Sequence, residues 1–185
     1  MTRVAGNRTD VKYRQLNEYP DHNFDELVTA LPTGAEFRHQ VEAKVRSARD
    51  RGRFTGVISL RLGGLEQVSA RFGRGLEFFI TREVFYRVMS VLPPENVLGR
   101  SERSGEFLVA LDPFDEMGTA LQFCERLRRE ADTTIKLFPF KEPPIILKVG
   151  IGLSIYPTQA DSAEALLHIA MCTAERICFA AGDSC

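Results

Sequence analysis

Long hydrophobic runs are missing from this sequence. Nowhere do 18 consecutive apolar residues occur, and the first twenty, MTRVAGNRTDVKYRQLNEYP, hold no apolar core of signal-peptide length. No membrane association and no cleaved leader are expected, and the expected location is the cytoplasm. Cysteine is sparse, and Cys124, Cys172, Cys178 and Cys185 fall into neither CxxC nor zinc-ligand spacing. No disulfide, metal or other cofactor is therefore expected, and in a reducing cytosol such thiols pack as small apolar groups. His22, His39 and His168 stand far apart, without a second histidine four residues away and without an HExxH context. An excess of one charge sign is also absent: 24 Lys and Arg stand against 25 Asp and Glu, a formal net charge of −1. The electrostatic signature of a polyanion binder is missing, so nucleic acid is not an expected partner.

What is present suffices for a core: 44% of the 185 residues are hydrophobic, enough for one domain. Residues 1–23 mix both charge signs without periodicity and read as a flexible N-terminal arm, leaving 24–185 as the domain. Thr33 and Glu36 stand at capping-box spacing before Phe37, Val41 and Val45, predicting a helix over 34–50. The run TGVISLRL predicts a first, central strand ending near Leu62. Gly63 and Gly64 turn the chain into a helical stretch with Leu76, Ile80, Val84, Val88 and Leu92 in step, bent near Gly73–Gly75 and stopped at Pro93-Pro94. NVLGRSE and GEFLVALD read as a hairpin turning at Ser104-Gly105. From Asp115 a helix should carry Met117, Leu121, Cys124 and Leu127 inward. After Pro139, Pro143 and Pro144 comes the longest strand candidate, IILKVGIGLSIYP. A last helix, capped by Asp161 with Glu164, holds Leu166, Ile169, Ala170 and Ile177 and ends at Gly182. Without its first helix this order is β-α-β-β-α-β plus a terminal helix, the split βαβ plan, with an antiparallel sheet covered on one side by helices.

Four landmarks in this order carry a likeness. ELVTALPTGAEF at 26–37, FGR at 72–74, RSGEF at 103–107 and VGIGLSIYP at 149–157 resemble the D-x-L-T-G-L-P-N-R-x-x-F, Y-G-H, GGDEF and V-S-I-G-x-A-x-Y-P motifs of GGDEF domains, the diguanylate cyclases that condense two GTP into cyclic di-GMP. The likeness covers roughly residues 24–183. It implies an α+β, nucleotide-cyclase-like antiparallel sheet with helices packed around it, and an active-site position for the hairpin.

The same resemblance marks what has changed. Cyclase chemistry needs carboxylates that hold two divalent cations against the triphosphate. The family's metal-binding aspartate position falls on Arg61, where a cation repels Mg²⁺. The guanine-reading positions fall on Ser69 and about Phe78, and the phosphate-contacting lysine on about Cys178. PPEN at 93–96 stands in place of the inhibitory R-x-x-D. In the signature, Arg103, Ser104 and Gly105 replace the two glycines and the metal-facing acid, while Glu106 and Phe107 agree. The resemblance thus implies a catalytically inactive domain that works as a protein–protein interaction or regulatory module in bacterial signalling, with another signalling protein or a second copy as partner. Two other readings stay open: a receptor for GTP or cyclic di-GMP, and a weak cyclase using a different metal arrangement.

Each candidate residue also has a plainer reading. Arg61, Gly63 and Gly64 would bind phosphate through a counter-charge and backbone N–H groups, or form a simple turn. Arg100, Glu102 and Arg103 are candidates for partner contact, or a solvated hairpin tip. Lys44, Arg46, Arg49, Arg51 and Arg53 suit a helix C-terminus. Asp112, Asp115 and Glu116 suit a helix start, and Phe78, Phe79 and Phe85 read as core.

Overall fold

The computed structural model describes residues 24–135 and 147–180. The arm expected over 1–23, His22, the segment of Pro139, Pro143 and Pro144, Gly182 and Cys185 lie outside them. The order is α1 (Phe24–Thr29), α2 (Gly34–Arg51), β1 (Thr55–Gly63), α3 (Leu65–Phe72), α4 (Arg74–Val91), β2 (Val97–Arg100), β3 (Glu106–Ala110), α5 (Met117–Ile135), β4 (Lys148–Tyr156) and α6 (Ala163–Ala180). The strands lie in the order β2-β3-β1-β4 and every pairing is antiparallel, so β1 is central, as its β-branched run suggests.

Alternation along the strands divides the core into two layers. On one face Ile58, Leu60 and Leu62 of β1, Leu98 of β2 and Phe107 of β3 meet Ile80, Val84 and Phe85 of α4 and Leu127 of α5. On the other, Val57 and Leu108 meet Phe37, Val41 and Val45 of α2 and Leu166 and Ala170 of α6. Helices therefore cover both faces, not one: α2 and α6 bury the second side, where β1 presents Val57 between the buried polar residues Thr55 and Ser59.

The α6 layer lies unusually close to the sheet. A Cβ on Gly152 would fall onto the Ala170 carbonyl oxygen and come within 2.7 Å of the Ala174 nitrogen, and one on Gly150 would fall onto the Ala174 carbonyl oxygen. Two strand positions without side chains let the backbone of α6 rest on the backbone of β4.

Several local expectations need correction. Thr33 occupies the N-cap of α2 in extended conformation but makes no side-chain cap bond, so the capping box does not form. The cap of α6 is Ser162, not Asp161: its hydroxyl accepts from the Ala165 N–H and its carbonyl from the Leu166 N–H. Met117, at 44%, and Leu121, at 57%, are exposed, because the inward stripe of α5 runs through Ala120, Leu127 and Ala131. Ile177 near the end of α6 is exposed too, and Phe78 and Phe79 lie at the surface while Phe85 is core. Residues 24–29 form a helix that periodicity gave no sign of, held by Phe24 edge-on to Phe78 and Phe85 at 5.0 and 5.4 Å.

Candidate functional site

The hairpin tip is built as an extension of the sheet. β2 and β3 pair from Val97↔Ala110 to Arg100↔Phe107, and beyond them the Ser101 N–H donates to the Glu106 carbonyl at 3.1 Å. Gly105 takes φ +69°, the left-handed conformation that glycine adopts without a Cβ penalty. Its carbonyl accepts from the Leu62 N–H at 2.9 Å, and a Cβ there would strike the Leu65 side chain. The signature's third position is thus a turn residue that docks the tip onto the start of α3.

Alternation sends the signature residues to opposite faces. Phe107 turns to the α4 side, 5.7 Å from the Phe85 ring, so its role is packing. Glu106 stands beside Arg61, its partner in the β1–β3 ladder. Only 2% of Glu106 is exposed; one carboxylate oxygen accepts from the Ser59 hydroxyl at 3.2 Å and the other, Oε2, has no hydrogen-bond partner. The Arg61 guanidinium faces Oε1 of Glu175 on α6 at 3.5 Å, and Arg103 reaches Oε2 of the same carboxylate at 3.2 Å. One acid therefore joins a strand cation to the hairpin-tip cation. The Cys178 thiol donates to the Arg61 carbonyl at 3.5 Å, and burial is the main cause that pushes this thiol up.

This donor set does not fit a divalent cation. Of the positions at which the resemblance places metal-facing acids, one carries a guanidinium and one is a glycine in the turn. The two nearby carboxylates are set against arginine or a serine hydroxyl. Among the described residues no group of three or more His, Cys, Asp or Glu side chains is arranged to hold a metal ion.

On the α4 side the hairpin borders a cleft of about 460 Å³, lined among others by Phe24, Arg74, Glu77, Phe78, Arg100 and Arg103. The Ser104 hydroxyl donates to Glu77 at 2.8 Å, tying the tip to α4. Arg100 Nε is buried without a hydrogen-bond partner. Glu102 also lines the cleft and is exposed.

The structure thus gathers Arg100, Glu102 and residues 103–107 around one cleft, whereas Arg61, Gly63 and Gly64 are not among its lining residues. Gly63 lies against Cys178, and Gly64 is the N-cap of α3, its carbonyl accepting from the Gln67 and Val68 N–H groups. Sequence reasoning missed Glu77 and Glu175, which hold the tip from two sides. The Arg103–Glu175 pair spans 72 positions, and no local pattern signals it.

No family model matches the chain. A curated relative, the diguanylate cyclase TpbB of Pseudomonas aeruginosa, is 25% identical over 141 residues, covering 76% of this chain and 32% of that protein. The chain therefore spans about a third of the length of the curated relatives it matches. Among solved structures, the GGDEF domain of TpbB (YfiN) from Pseudomonas aeruginosa superposes with a TM-score of 0.70 at 21% identity, covering 82% of this chain and 92% of that one. The diguanylate cyclase SiaD of the same species, solved in complex with its activator SiaC, gives a TM-score of 0.66 at 15% identity, with 95% of this chain and 67% of that one covered. The chain has the GGDEF-domain fold, and its sequence resembles diguanylate cyclases.

Proposed function

We propose that this chain is a GGDEF-like domain that makes no cyclic di-GMP and serves as a cytoplasmic interaction or regulatory module in bacterial signalling, in contact with a separate signalling protein. The observation that carries this reading is Arg61: the position where a cyclase needs a metal-binding acid holds a cation, which faces Glu175 across 3.5 Å. Without a metal to neutralise the triphosphate, the attack of a 3′-hydroxyl on the α-phosphate loses its main electrostatic stabilisation. The tip, with exposed Glu102 and Arg103 and half-buried Arg100, is the proposed contact surface, and SiaD, of the same fold, is in complex with a separate activator. The test is incubation of the purified chain with GTP and Mg²⁺ or Mn²⁺, with the products resolved by mass spectrometry. No cyclic di-GMP is expected; its metal-dependent formation would overturn the reading.

A second reading rests on the cleft. Arg74, Arg100 and Arg103 line it together with Glu77, Glu102 and Glu106, and the unmatched Arg100 Nε is the donor that suits an anionic group of GTP or cyclic di-GMP. Isothermal titration with GTP plus Mg²⁺ and, separately, with cyclic di-GMP decides it. Saturable binding favours a receptor, and no heat from folded protein removes it.

A further inference from the structure

One pair of ligating side chains lies outside the hairpin site. On α6, His168 is exposed and Cys172 half-buried, one helical turn apart, with Cys172 Sγ 3.7 Å from His168 Nε2 and 3.9 Å from Nδ1. Zinc binds thiolate at about 2.3 Å and imidazole nitrogen at about 2.0–2.1 Å, and a tetrahedral angle between the two bonds sets sulfur and nitrogen about 3.6 Å apart. The observed separation already matches, and rotation of the exposed imidazole about Cβ–Cγ aims a ring nitrogen at the shared position. A search for CxxC or paired histidines passes over such a mixed pair.

Two ligands make half of a tetrahedral site. No third His, Cys, Asp or Glu completes it among the described residues. We propose that His168 and Cys172 form a half-site for a zinc-class divalent ion, completed by the same two residues of a second copy of this chain in a Cys₂His₂ centre. Residue spacing along α6 supports this occupant. When two α6 helices lie antiparallel about a two-fold axis level with Ala170, His168 of each copy comes level with Cys172 of the other. Glu164 and Arg176, each six residues from that level, then come level at both ends with opposite charge. The Cys172 thiol loses its proton to solvent as it ligates, and the imidazole ligates in its neutral form.

The full chain, reduced and stripped of metal, is titrated with Co²⁺ while the visible d–d bands and the near-ultraviolet thiolate charge-transfer band are followed. Molar mass is measured with and without Zn²⁺. A tetrahedral thiolate spectrum saturating at one metal per two chains is expected, with a doubling of the 20.8 kDa chain mass that chelator reverses. Both signals should vanish in Cys172→Ser and in His168→Ala and persist in Cys185→Ser. The proposal is overturned by no tetrahedral spectrum, by a spectrum that survives Cys172→Ser, or by one metal per chain with the mass unchanged.

Discussion

Gly152→Ala probes the seam between α6 and β4. The added methyl group would meet the Ala170 carbonyl head-on and lie 2.7 Å from the Ala174 nitrogen, where ordinary contact begins at 3.4 Å. The obstacle is helix backbone, which has no rotamer to yield, so α6 must move outward by more than 0.7 Å (3.4 less 2.7). That motion loosens the packing of Leu166 and Ala170, both fully buried. Overpacking costs about 1–3 kcal/mol in general, and a rigid obstacle places this change at about 3 kcal/mol. For a chain of this size the melting temperature should fall by about 6–12 °C. Urea unfolding followed by circular dichroism measures the loss directly. Gly118→Ala, in the first turn of α5 with nothing within 4 Å of the new Cβ, is the control and should be neutral or stabilising by up to about 1 kcal/mol. A Gly152→Ala protein within about 0.5 kcal/mol of the parent would refute the close-contact account.

Gly105→Ala places a side chain at φ +69° and against Leu65; we expect a loss of about 1–2 kcal/mol, read from the same urea curves, and an unchanged midpoint would show that the turn can relax. Glu175→Gln removes the anion shared by Arg61 and Arg103. Hydrogen exchange of the 101–105 amides should quicken while global stability falls by less than about 1 kcal/mol, since these pairs are partly solvated. Equal exchange rates would mean that Gly105 and Glu77 hold the tip alone. Burial first, and Glu125 second, push the Cys124 thiol from 9.0 up to about 12. The folded state thus keeps a proton that the unfolded state releases: the contribution is whole below pH 9.0 and is lost as pH rises from there towards 12. Urea midpoints should drop across that window, and Cys124→Ser should flatten the drop in part, Cys178 titrating in the same direction. A drop as steep in the variant would remove Cys124 from the account.

What the sequence made legible was what short-range pattern controls. The β-branched run of β1, the four-residue rhythm of α4, the break at Gly73 and the turn at Gly105 each follow from a preference that acts over a few residues, and each is found. Helix faces were harder. On α5 the choice between the Met117–Leu121 stripe and the Ala120–Leu127–Ala131 stripe turns on alanines, which carry little hydrophobic signal but are buried in the core. Phe78 and Phe79 misled in the opposite sense, since an aromatic residue also serves at a cleft wall or over an arginine, as Phe79 does with Arg82 at 4.6 Å. The substitutions at Arg61 and Gly105 could be read from motif alignment. What those residues now touch could not, because Glu175 and Glu77 reach the hairpin only through the folded chain.

The two side-chain-free positions of β4 also bear on how a perturbation travels. A contact made of backbone against backbone has no side-chain rotamers to absorb a shift, so α6 sits on the β1–β4 pair as on a plate. Glu175 rides on that plate, and its carboxylate is the short link from the plate to Arg103 at the hairpin tip. The outer surface of α6, where His168 and Cys172 lie, and the hairpin tip thus share one helix, joined through Glu175.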